Sequence, residues 1–272
     1  KGGSMTVIDA HAVIQALGLP DSCRVEQRVP KKLLLENGVP TASDKRLITD
    51  AIEEIQWFAA LKPNTIGVPD YRDAQREYLE IAVLVVTLRG TVKPASCSRL
   101  AELVHRAVPY PVLLLLVEGQ TVALSLAHKR WAQNEASKVV LDGSLTLALL
   151  SHATANATAT DAAARSEAEH AFVQSLSIAH QPQTSLHALY QGWMDCVQAL
   201  QAARRTGNYR TTATPEQAAA RRQALADCER LEGEISRLRA QGAKEKQMAR
   251  QVEINLQLKA LLAERQQIAQ YL

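Results

Sequence analysis

Apolar side chains recur along this chain first with mixed periods and then with a helical period alone, and that change divides it. Residues 6–17, TVIDAHAVIQAL, have the spacing of a short helix stopped by Gly18 and Pro20. CRVEQRV alternates like a strand that Pro30 ends. After ENGVPTASDK, the residues Ile48, Ile52, Ile55 and Ala59 fall four and three apart, which predicts a helix ended by Pro63 with Asp44, Glu53 and Glu54 off its stripe. EYLEIAVLVVTLRG (77–90) is apolar at both parities, the pattern of a strand covered on both faces. Leu100, Leu103, Val104 and Ala107 predict a helix over 97–108. The run 111–130 reads as two strands joined at Glu118-Gly119-Gln120, where glycine supplies the positive φ of a tight hairpin. KVVLDGSLTLAL adds one or two strands around Asp142-Gly143.

Residues 151–164, SHATANATATDAAA, carry almost no large apolar side chains and read as a boundary loop passing into a helix. No strand pattern follows. A helix over about 185–205 puts Leu186, Leu189, Tyr190, Trp193, Val197 and Leu200 on one core-facing side. TGNYRTTATPEQ closes with Thr214 as N-cap, Pro215 at the first helical position and Gln217 three residues after the cap. Beyond it Ala224, Cys228, Leu231, Ile235 and Leu238 alternate by four and three, the seam of a coiled coil. The register fails at Gly242 and Glu245, then resumes as Ile254, Leu258, Leu261, Arg265, Ile268 and Leu272. Two segments of similar length, each roughly 40 Å at 1.5 Å per residue, favour an antiparallel hairpin. The rival is one continuous helix of roughly 85 Å pairing with another subunit, because a glycine inside a helix costs only about 1 kcal/mol. The fold class expected is α+β: a mixed α/β domain over 5–150 and a helical domain over 165–272, ending in a coiled-coil hairpin at 216–272.

Composition narrows the setting. Of 272 residues, 47% are hydrophobic but only 4% aromatic, so the core is aliphatic. Lys and Arg total 31 against 28 acids, too small an excess to mark a nucleic-acid binder by bulk charge. Cys23, Cys97, Cys196 and Cys228 form no C-x-x-C pair, which predicts reduced thiols in a cytoplasmic protein. The longest greasy run, VLLLLV, is strand-sized and predicts no membrane span. KGGS before Met5 has the look of a tag remnant, with natural numbering starting at Met5.

The chemistry that such a chain could carry is mostly excluded by motif. A Walker A loop, a G-x-G-x-x-G turn, H-E-x-x-H and G-x-S-x-G are all missing. The seven histidines (His11, His105, His128, His152, His170, His180, His187) show no metal-ligand spacing, so no metal and no cofactor are expected. A Mg²⁺-dependent nuclease needs carboxylates at a strand mouth and a lysine beside the attacking water. Asp70 and Glu80, with Lys129 from a neighbouring strand, are the candidates for that alternative, the one case in which Mg²⁺ would be the cofactor. The acid-x-lysine strand signature does not occur, and Glu118-Gly119-Gln120 is explained more simply as a turn. Basic clusters give the positive signal: Arg28, Lys31 and Lys32 around Pro30, Lys45 and Arg46 at a helix start, and Lys129 and Arg130 beside Trp131, which could stack a base. Arg204, Arg205, Arg221 and Arg222 flank the 206–214 loop and also suit helix ends. The competing reading is a solvated face with ordinary ion pairs.

QRVPKKLLLENGVPTASDKR, IEEIQWFAALKPNTIGVP, REYLEIAV, PYPVLLLL followed by LSLAHKRW, and LYQGWMDCVQAL together resemble a bacterial and archaeal family, domain of unknown function 4391, over nearly the whole chain. The resemblance implies a setting beside helicases and DNA methyltransferases in restriction-modification or phage-defence clusters. Residues carrying it include Pro30, Lys31, Lys32, Glu36, Lys45, Trp57, Lys129, Arg130 and Trp131; Trp57 is expected in the core, whereas the lysines are costly to bury unpaired. The function expected is therefore a non-enzymatic accessory or adaptor subunit of a DNA-processing system, contacting a helicase or methyltransferase subunit, or a second copy, and DNA. The divergent nuclease and a pure protein scaffold are the alternatives.

Overall fold

The structure is a computed structural model describing residues 7–150 and 158–272. The KGGS segment, Met5, His152 and the 151–157 part of the expected boundary loop lie outside the described residues. Two compact units result, residues 1–197 and 198–272, with the division inside a helix.

The first unit carries the strands β1 (Arg24–Val29), β2 (Ile52–Leu61), β3 (Tyr71–Arg72), β4 (Glu77–Tyr78), β5 (Ile81–Leu88), β6 (Val112–Glu118), β7 (Thr121–Leu126), β8 (Lys129–Trp131), β9 (Val139–Leu141) and β10 (Thr146–Leu150). Its helices are α1 (Ala10–Leu17), α2 (Lys32–Glu36), α3 (Ala42–Ala51), α4 (Pro63–Ile66), α5 (Pro94–Ala107), α6 (Ala159–Ser175) and most of α7 (Leu186–Thr206). A six-stranded sheet runs in the order β1-β2-β5-β6-β7-β10, with β3-β4 and β8-β9 as separate ribbons. Every neighbouring pair is antiparallel except β5 and β6, which are parallel and joined by α5. The double coverage expected of residues 77–90 is present, since Ile81, Ala82, Val83 and Leu84 are all buried. Gly119 takes a φ of 58° at the β6–β7 turn, the left-handed conformation that a two-residue hairpin needs.

Residues 52–61 correct the sequence reading. They form strand β2, not the continuation of α3, and only Ile48 of the supposed stripe is helical. The pairing of β2 with β5 shifts register between Ile52 and Glu54 and again between Trp57 and Ala59. Each irregularity offsets the alternation, so the buried positions Ile52, Ile55 and Ala59 fall three and four apart and imitate a helix. The helix α3 itself begins at a capping box between Thr41 and Asp44, and Arg99 of α5 pairs with the Asp44 carboxylate at 2.9 and 2.8 Å. Those hydrogen bonds from Arg99 hold the Asp44 carboxyl well below the usual carboxylate range. One core then forms from Leu34, Ile48, the sheet face and the Leu100, Val104 stripe of α5, with Trp57 packed half-buried at its edge.

Helix α7 explains where the division falls. Leu186, Leu189, Tyr190, Trp193 and Val197 are fully buried, and the Tyr190 hydroxyl donates to the Val112 carbonyl at 2.7 Å while accepting from the Ala127 N–H at 2.8 Å. The Trp193 indole N–H donates to the Leu176 carbonyl at 2.9 Å. These residues of its stripe are therefore packed within the first unit.

The second unit holds the end of α7, α8 (Pro215–Lys244) and α9 (Met248–Ile268). Thr214 caps α8 by accepting from the Gln217 N–H, as the start signal predicts. Residues 245–247 are not helical, so the continuous 216–272 helix is not what the chain forms. Ala224, Cys228, Leu231, Ile235, Leu238 and Ile254 are buried, while Leu258, Leu261, Arg265, Ile268 and Leu272 are half-buried. Contacts between the two helices run in opposite chain directions: Gly242 approaches Ile254, Arg230 lies 3.9 Å from Glu264, and Arg221 donates to the Leu272 carbonyl at 2.9 Å. All four cysteines are buried and reduced.

Replacing Tyr190 by Phe removes one hydroxyl and strands the Val112 carbonyl and the Ala127 N–H at the β6 and β7 ends. Urea unfolding of Tyr190→Phe is expected to show a loss of about 1–3 kcal/mol with little change in slope.

Candidate functional site

Three groups of polar side chains on the first unit invite a functional reading. The first is basic. Arg28 ends β1, Lys31 caps α2, and Arg89 follows β5, which brings three cations together from distant parts of the chain. The Lys31 ammonium donates to the Thr49 carbonyl at 3.3 Å, and partial burial, then Arg89, then Arg28 push its pKa down. Acids interleave them: Asp50 and Glu53 lie near Lys31, and Arg28 is 3.8 Å from Glu54. Lys32 pairs with Glu36 at 3.5 Å, while Lys45 and Arg46 stand exposed on the first turns of α3. Arg89 was missed because nothing in the local sequence links a residue 61 positions after Arg28 to the same surface; only the strand pairing does.

The second group centres on Lys129, and here the expected basic strand turns inward. Lys129 is 4% exposed, and its ammonium donates to the carbonyls of Val108 and Tyr110, just past the end of α5. Burial lowers its pKa to about 7. Arg130 lies 3.7 Å from Asp142, and Trp131 is half-buried on β8. Lys129 forms part of the wall of two concavities, one of about 260 Å³ beside Tyr110 and Trp131, the other of about 630 Å³ beside His105, Arg106 and Lys138. His105 is 1% exposed; its Nε2 meets the Ser125 hydroxyl at 2.9 Å, and its Nδ1 has no partner among the described residues.

The third group is aromatic. His128 stacks on His187 with centroids 5.2 Å apart, and His187 stacks on Tyr71 at 4.8 Å. Tyr78 and Tyr190 pack edge-on or tilted around them. The His128 Nδ1 faces the Tyr78 hydroxyl and its Nε2 lies 2.7 Å from Gln191 Oε1. Arg76 pairs with Asp142 at 3.0 Å beside them. Burial is the leading reason that the pKa of His128 falls to about 4 and those of His187 and His105 fall in the same direction. These rings were legible only as scattered histidines, since 59 residues separate His128 from His187.

The nuclease set is not assembled by contact. Asp70 is exposed, Glu80 lies 3.9 Å from Lys62, and Lys129 is engaged by backbone carbonyls. The described residues contain no group of three or more His, Cys, Asp or Glu side chains that could hold a metal ion. No described helix is long and apolar enough to cross a membrane.

The histidine shifts have a definite sign. A ring held neutral in the folded state at pH 5 is protonated in the unfolded chain, so the unfolded state binds more protons between about 6.5 and 4 and stability is lost as pH falls through that window. Urea midpoints of the wild type are expected to decline from pH 7 to 4.5, with His128 contributing up to roughly 3 kcal/mol. In His128→Gln the decline should be shallower.

No curated protein and no solved structure matches the chain. A family model described as Domain of unknown function (DUF4391) matches residues 17–264, which covers the six-stranded sheet, the Lys129 cleft and nearly all of the C-terminal helices. The chain belongs to that family.

Proposed function

We propose that this protein is a non-enzymatic accessory subunit of a DNA-processing system of the restriction-modification or phage-defence kind, docking a helicase-like or methyltransferase partner through its C-terminal helices. The observation that carries the reading is the outer ridge of α9. Met248, Val252 and Leu256 stand four residues apart, 79%, 53% and 64% exposed, and so form one apolar strip on a helix whose other side is turned to α8. Exposed large apolar side chains in a row are costly to leave in water and mark an interaction surface. The opposed contacts of Gly242, Arg230 and Arg221 support an antiparallel coiled-coil hairpin as the platform for that strip. Ile254 is buried and the ridge is exposed, a contrast that supports a docking role for the ridge.

The cations Arg28, Lys31 and Arg89 support a second contact, with the phosphates of DNA. Lys45 and Arg46 extend it as exposed groups on α3. Interleaved acids limit its reach, in keeping with an accessory role in which the partner supplies most of the affinity.

Pull-down of the partner by the double variant Val252→Glu/Leu256→Glu is expected to fail while the helical circular dichroism signal is kept. Capture at wild-type level would remove the adaptor reading, and a shift from dimer to monomer in the variant would identify a second copy as the occupant. For DNA, Lys31→Ala/Arg89→Ala should weaken binding and flatten the slope of log K against log salt by about 1 to 2.

A further inference from the structure

The Lys129 cleft has chemistry that neither packing nor the proposed docking surface uses. An ammonium has three N–H donors. Two of those on Lys129 are taken by the Val108 and Tyr110 carbonyls, and no carboxylate pairs with it among the described residues. Its neighbours along the larger concavity are already matched, Arg106 with Glu102 at 2.5 Å and Lys138 with Glu135 at 2.6 Å. In its protonated form Lys129 is thus a buried cation with a donor left over and no counter-charge among the described residues. His105, fully buried and with its Nδ1 unpartnered among the described residues, is one of the residues lining the same space. Leaving both unmatched is unfavourable unless something else completes them.

The missing partner is defined by these groups. An oxyanion supplies the counter-charge for Lys129 and can accept from a ring N–H of His105. Next to it the smaller concavity, about 260 Å³, has the half-buried Trp131, Tyr110, Leu79 and Val139 among its lining residues. Such walls suit a flat ring stacked or clasped between apolar side chains. Together the two spaces, about 630 and 260 Å³ and both bordered by Lys129, have the size range of a small-molecule site.

We propose that this cleft is a binding site for a nucleotide, with the phosphate on Lys129 and His105 and the base against Trp131 and Tyr110. A free mononucleotide and the 5′-terminal nucleotide of a strand offer the same phosphate and ring.

The full chain is titrated by calorimetry with adenosine 5′-monophosphate, adenosine, inorganic phosphate, and a short single-stranded oligonucleotide with or without its 5′-phosphate. Adenosine 5′-monophosphate is expected to bind more tightly than adenosine or phosphate. Lys129→Met should weaken it by about tenfold or more, the loss of one charge-assisted contact, and Trp131→Ala should weaken it while leaving the response to phosphate unchanged. A stronger response to the 5′-phosphorylated strand than to the free nucleotide names a strand end as the source. Should Lys129→Met fail to fold, acetylation of Lys129 in the wild type, followed by peptide mass, decides: it should slow when the nucleotide is added. Equal affinity for adenosine and its monophosphate, or Lys129 acetylation indifferent to nucleotide, overturns the proposal.

Discussion

Two parallel strands cannot be joined by a tight turn, and the whole first unit is organised by that constraint. β5 and β6 lie side by side in the same direction, so the chain must cross over the sheet between them, and α5 is the crossing. A crossing helix needs an apolar stripe to bury, which Leu100, Leu103, Val104 and Ala107 provide. It also fixes the site chemistry. The end of α5 leads through residues 108–110 to the start of β6, and the Lys129 ammonium donates to the Val108 and Tyr110 carbonyls there.

A single hydroxyl adds a further tie to the second half of the sheet. Tyr190 reaches the first residue of β6 and the residue after β7, tying the two strands to α7. This is why α7 counts with the α/β body, though its sequence pattern is that of any amphipathic helix. Periodicity reveals that a helix has a buried face; it carries no information about which neighbour covers it.

The elements themselves were largely legible. The strands at 24–29, 81–88, 112–118 and 121–126, the helices α1, α5 and α7 and the cap at Thr214 follow from alternation, periodicity and turn chemistry. The misreading of 52–61 has a physical source in two register shifts that convert a strand's period of two into threes and fours. The candidate sites were legible in part. Arg28 and Lys31 do converge, but their companion Arg89 is brought in by β5, and Lys129 is drawn inside by carbonyls that no local pattern announces. Lys129 and Arg130 are adjacent in a strand, so their side chains point to opposite faces and only one can be buried. Residue type at adjacent positions identified a cationic pair; the pleat divided it.

The four thiols divide between the units in a way that gives each its own reporter. Cys23, Cys97 and Cys196 sit inside the first unit and Cys228 inside the second, and burial raises the pKa of Cys23, Cys97 and Cys228. A sulfur that is both shielded and protonated reacts with an alkylating reagent only when the surrounding structure opens. Labelling rates at Cys228 therefore register the breathing of the terminal helices, and those at Cys97 the breathing of the sheet, from the unaltered chain and with no added probe.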